Sequence, residues 1–195
     1  SAPKALESYR NAAEKADTTD SECDFRQLML IHSQMANVYS TMYASQSEEC
    51  ELNNALRYAS HIQDRAAMCA FNDLKCASLY KNKKYYDCIR MTDSLRQVYM
   101  QHDDTSNASL VCVNGFKSYL ALGKYDSAHV YLENYAKIFN TDVSVRNIRG
   151  GKDALPILRG DYYLCTNKPD SALLYYRTVD LHKPIPTVRS YLYCN

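Results

Sequence analysis

The stretch Leu122-Gly123-Lys124-Tyr125-Asp126-Ser127-Ala128, followed by Tyr131 and Leu132, decides the fold because it recurs. Asn167-Lys168-Pro169-Asp170-Ser171-Ala172 repeats its pattern ahead of Tyr175 and Tyr176. Asn82-Lys83-Lys84-Tyr85-Tyr86-Asp87-Cys88 precedes both. Asn54-Ala55-Leu56-Arg57-Tyr58-Ala59 reads as a fourth copy, and Ala5, with Tyr9 and Ala12 behind it, as a partial fifth. Aligned on the small residue, the copies fall at 5, 55, 88, 128 and 172, and the last three intervals are 33, 40 and 44 residues. Self-similarity at such a period is the signature of a stacked repeat. A small residue belongs where two helices of a pair approach most closely, since a larger side chain would push the backbones apart.

Working outward, helical periodicity runs from end to end. Leu28, Ile31, Met35, Val38, Tyr39 and Met42 are spaced by threes and fours, an apolar stripe on one helix. Leu74, Ala77 and Leu79 form a second such set, Ile89, Leu95 and Tyr99 a third, and Leu173, Tyr176 and Val179 a fourth. Thr18-Thr19-Asp20-Ser21 and Asp103-Asp104-Thr105-Ser106 offer N-caps. Pro169 and Pro186 sit where a first-turn proline is tolerated. Only five glycines and five prolines interrupt the pattern, so the reading is roughly ten or eleven helices and no strand. The expected class is all-α, an α-α superhelix of antiparallel helical hairpins.

These residues resemble the tetratricopeptide repeat, in which a small residue and an aromatic on a first helix lead through Gly-x-Tyr-x-x-Ala into a second. Tyr119, Gly123, Tyr125 and Ala128 match in one repeat; Gly160, Tyr163, Ala172, Tyr176 and Pro184 match in the next. Cys76 and Gly160 supply the small residue expected on the first helix, while Phe116 departs from it. The consensus tryptophan is missing everywhere, and residues 44–54 and 140–153 are longer than the family's turns. The resemblance implies a single array over 1–195. It comprises a half repeat at 2–17, repeats at about 22–64, 65–102, 105–140 and 153–184, and the start of a further helix at 186–195. That last, incomplete hairpin reads as the edge of a longer protein.

Composition narrows the function classes. The 23 basic and 22 acidic side chains leave a net charge of +1 without a long run of either sign, which argues against a nucleic-acid partner. No stretch of about 18 consecutive apolar residues offers a membrane span. Eight cysteines contain no C-x₂-C pair and no Cys-His spacing of a zinc site. Most lie at apolar helical positions, where a thiol acts as a small hydrophobe. Cys76 and Cys88, at the two close-approach positions of one hairpin, are the candidate disulfide. The five histidines are dispersed, and no catalytic motif, metal site or cofactor site emerges. Gly150-Gly151, between Arg146, Arg149 and Lys152, is a weak anion-loop signal and reads better as a plain loop.

Tyr85, Tyr125, Tyr163 and Tyr176 coincide with repeat packing positions and are expected in the core. The concave side of such an array is lined by first helices. By register it carries Ser33, Asn37, Asp73, Tyr80, Lys81, Lys117 and Asp161. Tyr80 is the ring placed to add contact area at low entropy cost. A two-asparagine carboxylate clamp, as some relatives of this resemblance carry, is not matched: Ser33 stands where a lysine belongs beside Asn37, and Leu110 and Asn114 replace the basic pair. The expected function is therefore a non-catalytic scaffold binding a protein or peptide. The tyrosine-rich repeats are similar to the sensory regions of bacterial transcriptional regulators and sensor kinases, which implies a signalling role. A small-molecule receptor or enzyme with a pocket under the 140–153 loop is one alternative, and a self-assembly module is another. Cysteine usage favours the cytoplasm, the sensor resemblance the periplasm.

Overall fold

The computed structural model describes residues 2–16, 18–19, 23–142 and 151–179. Among them are nine α-helices and no strand, so the fold class is all-α, of the helical-repeat kind. The chain divides into two compact units, Ser1–Lys83 and Lys84–Asn195, and the division falls inside the repeat read over 65–102. The first unit holds α1 (Ala2–Glu14), α2 (Phe25–Thr41), α3 (Ser45–His61) and α4 (Arg65–Lys81), each packed on the next. The second holds α5 (Tyr85–Gln101), α6 (Thr105–Ala121), α7 (Tyr125–Thr141), α8 (Ala154–Cys165) and α9 (Pro169–Tyr176), again packed in succession, with a 3-10 turn at Gly151–Asp153 ahead of α8.

From α2 to α7 every helix has 17 residues. Helix starts fall at 25, 45, 65, 85, 105 and 125, so a helix with its link occupies 20 residues and a pair 40. Each three-residue link places its middle residue in the left-handed region: Tyr43, Gln63, Lys83, Asp103 and Gly123, then Asn167 between α8 and α9. That conformation closes the preceding helix. The amide of the third link residue returns to the carbonyl five positions back, as in Ala44 to Tyr39 and Lys124 to Tyr119, each at 3.0 Å. Only Gly123 is the residue the geometry favours; the other five carry a conformational cost of roughly 1 kcal/mol each.

Caps alternate with the same 40-residue spacing. Asp24, Asp64 and Asp104 accept the amides of Gln27, Ala67 and Asn107 at 2.9, 3.0 and 3.2 Å, capping α2, α4 and α6. The intervening helices start after Ala44, Lys84, Lys124 and Lys168 with no side-chain cap. Asp104 belongs to the N-cap cluster expected from sequence. For α2 the cap is Asp24, downstream of the expected Thr18–Ser21 cluster, of which Asp20 and Ser21 lie outside the described residues.

This geometry corrects the register. Cys88, Ala128 and Ala172 are each the fourth residue of their helix, and the fourth residue of α3 is Glu48, not Ala55. Ala55 lies seven residues further along the same face, fully buried. The 33-residue interval is therefore 40. Glu48 is only 6% exposed, and its Oε2 has no hydrogen-bond partner among the described residues.

The core of the first unit gathers Leu28, Met29, Ala36, Leu52, Ala55, Tyr58, Ala59 and Phe71, with Leu6, Met35 and Tyr39 as a second cluster toward α1. In the second unit Cys112, Phe116, Tyr131, Leu132, Tyr135, Phe139, Leu155 and Leu158 are central. Several expected core positions point outward instead. Met42, Leu74, Tyr125 and Leu173 are exposed. α4 buries Cys69, Phe71 and Cys76 rather than Leu74, because its packed stripe is rotated off the one read from the leucines.

Phe116 is the deepest of these side chains, and the expected small residue is found one position earlier. A Cβ on Gly115 would lie 2.5 Å from Cε1 of Tyr131 and 2.9 Å from Cγ2 of Thr92. Glycine here lets the Tyr131 ring pass over the α6 backbone and donate its hydroxyl to Asp93 of α5. Gly160 does the same for Tyr176, whose ring atoms fill the space a Cβ would need.

Candidate functional site

The seven expected groove residues do not behave as one set. In the first unit, Asn37 is exposed and Ser33 half-buried, its hydroxyl donating to the Leu30 carbonyl at 2.9 Å. Asp73 is buried at 6% exposure, with a partner of its own, and is not a surface contact. Tyr80 is half-buried, also with a partner.

Lys81 is exposed but structurally engaged. Its ammonium donates to the carbonyl of Ser40 at 2.5 Å and to the hydroxyl at 3.0 Å, and lies 4.7 Å over the Tyr43 ring. A cation at the C-terminal turn of α2 meets carbonyls without helical partners and the negative end of the helix dipole. Its role here is to tie α4 to the end of α2.

The second unit brings its two expected residues together. Lys117 of α6 and Asp161 of α8 are both half-buried, and the ammonium is close enough to stabilise the Asp161 carboxylate. Tyr176 of α9 donates its hydroxyl to Asp161 Oδ1 at 2.6 Å. The access that Gly160 gives the Tyr176 ring positions that hydroxyl one residue from the carboxylate it serves. Cys165 follows one turn later on α8, exposed and within the electrostatic reach of Asp161. Around them the rings stack: Tyr163 lies on Tyr175 at 5.4 Å and 6°, and His129 on Tyr162 at 5.2 Å and 25°. Arg159 sits over Tyr175 at 5.8 Å.

Electrostatics mark Asp161 as unusual. Burial raises its pKa, and the opposing effects of the Tyr176 hydroxyl and Lys117 do not cancel it. An acid whose folded pKa is raised binds its proton more tightly folded than unfolded. Stability is then lost as pH rises from the ordinary carboxylate range through the raised folded value. Asp161→Asn is accordingly expected to gain stability over wild type at pH 7. That advantage shrinks as pH falls into the ordinary carboxylate range, as urea titrations at pH 4 and pH 7 would show.

Cys165 supplies a second readout. Burial and then the Asp161 charge push its thiol up, so its thiolate fraction near pH 8 is low. Alkylation of Cys165 is expected to speed up several-fold in Asp161→Asn, with mass-spectrometric peptide mapping following the modified residue. An unchanged rate would mean that the carboxylate does not act on the thiol.

Cys76 and Cys88, the candidate disulfide, are both fully buried thiols on helices of different units, and Cys88 Sγ is 3.8 Å from the Asn114 carbonyl oxygen. Cys112, also buried, is pushed up to about 11, mainly by desolvation. Asn114, which the clamp comparison singled out, is itself buried. Among the described residues no three His, Cys, Asp or Glu side chains are grouped to hold a metal ion, and no helix is long and apolar enough to cross a membrane. Most of the 140–153 loop, with Gly150, Arg146 and Arg149, lies outside the described residues, as do His182, Pro184, Cys194 and the 186–195 segment.

Sequence reasoning missed the Tyr176–Asp161 hydrogen bond, although both residues had been singled out. It also missed a groove along α1, lined in part by Pro3, Leu6, Glu7, Arg10 and Met42, about 370 Å³ in volume. No protein-family model and no curated protein matches the chain.

Proposed function

We propose that the chain is a non-catalytic scaffold of the tetratricopeptide kind that binds a protein or peptide, and that its contact surface centres on Lys117 and Asp161. One observation carries this reading: Asp161 is a half-buried carboxylate with a raised pKa, beside Lys117 and held by Tyr176. Such a group lowers stability at neutral pH, and a cost of that kind is characteristic of positions kept for binding. The paired acid and base give an extended peptide backbone both an acceptor and a donor, and the surrounding tyrosines add contact area at low entropy cost. The similarity of the repeats to regulator and sensor-kinase arrays makes the sensory or interaction region of a bacterial regulatory protein the context of this reading.

The test is capture from a bacterial lysate by the immobilised chain, repeated with Lys117→Glu and Asp161→Asn. A partner that both changes release supports the assignment. A partner indifferent to both, or capture of none, counts against it.

A further inference from the structure

The groove along α1 and the outer face of α9 complement one another, although one belongs to the first unit and the other to the second. Pro3, Leu6 and Met42 give the groove apolar walls, and Glu7, Arg10 and Glu14 line it in the sign order minus, plus, minus. Arg10 is held there by donating to the Tyr39 hydroxyl. On α9, Leu173 and Leu174 are 48% and 66% exposed. Lys168, Asp170 and Arg177 surround them, all exposed, in the order plus, minus, plus. At about 1.5 Å per helical residue the two charge patterns span roughly 10 and 13 Å.

We propose that the α1 groove receives α9 of a second copy of this chain. The two leucines enter the apolar part of the groove, and Lys168 and Arg177 meet Glu7 and Glu14 while Asp170 meets Arg10. The two surfaces are different patches, so the contact is heterologous, and each added copy leaves a groove and an α9 face open. Association therefore grows with concentration instead of stopping at a dimer. A footprint of two helical turns is small, and the contact is weak, with half-association on the order of 0.1 mM.

Sedimentation velocity of the whole chain from about 10 μM to 1 mM tests this, with expected mass rising across the range and falling back in high salt. Leu174→Asp is expected to leave a monomer. So is the pair Glu7→Lys and Glu14→Lys, and so is the pair Lys168→Glu and Arg177→Glu. Mixing the two charge-reversed proteins is expected to restore association, because the reversed groove then meets the reversed helix. Every changed side chain is exposed, and circular dichroism confirms that helix content is retained. A wild-type monomer throughout the range overturns the proposal, as does self-association that ignores Leu174→Asp and both reversals. None of these variants alters Lys117 or Asp161, so this result and the capture result stand apart.

Discussion

Replacing Phe116 with alanine is expected to destabilise the second unit by about 3–5 kcal/mol, the range for emptying a buried aromatic site. Phe116 is 1% exposed and belongs to one cluster with Cys112, Ala128, Leu132 and Leu155. These residues come from α6, α7 and α8, so no single helix can move to fill the space. Packed interiors lose dispersion contacts on every wall of such a void. Urea unfolding followed by circular dichroism measures the loss. A shift below about 1 kcal/mol would mean that the cluster collapses around the gap.

Gly115→Ala makes the more discriminating case, because two effects predict opposite signs. In an ordinary helix interior the change would stabilise by about 1 kcal/mol, as alanine is the better helix former. Here the new methyl carbon would meet Tyr131 at 2.5 Å and Thr92 at 2.9 Å. Those neighbours belong to α7 and α5, and Tyr131 is anchored at its far end by Asp93. Overpacking of this kind costs about 1–3 kcal/mol, so the net change is expected to be destabilising. Gly123→Ala serves as the control. Its φ is +68°, but nothing lies within 4 Å of the added carbon, so only the backbone conformation opposes it. That cost is roughly 1 kcal/mol. A stabilised Gly115→Ala protein would show that the ring does not rest on the α6 backbone.

The fold class was legible because both of its signals are local. Period-3.6 apolar spacing and turn residues at regular intervals do not depend on distant partners. The repeat length was legible too, in Asp24, Asp64 and Asp104, but alignment on the small residue hid it. Glu48 occupies the position that Cys88 and Ala128 hold elsewhere, and a glutamate does not read as a packing residue. Ala55, two turns further along the same face, took its place and gave an interval close to the one the resemblance suggested. In α6, attention to Phe116 passed over Gly115, since the shift of one residue depends on where the Tyr131 ring lands.

The candidate site was partly legible for a similar reason. Lys117 and Asp161 follow from register on the first helices of adjacent pairs, and the structure brings them together. Lys81 follows from the same register, but its partners in the fold lie at Ser40 and Tyr43, about forty residues back. Burial of Asp73 was equally hidden, because a charged side chain at a surface register reads as solvent-facing until its surroundings are known.

The uniform links of the chain carry an implication for how such a sequence can change length. Every link closes its helix with the same left-handed middle residue, whether it follows an Asp-capped helix or a helix without that cap. Excision of 20 residues would leave a well-formed link but exchange the two helix types from that point on. Asp-led starts would then follow where Lys-led starts belong. Removing 40 residues changes neither type nor direction. Parity, more than length, therefore decides which deletions and duplications this chain tolerates, and its tolerated lengths are expected to differ by even numbers of helices.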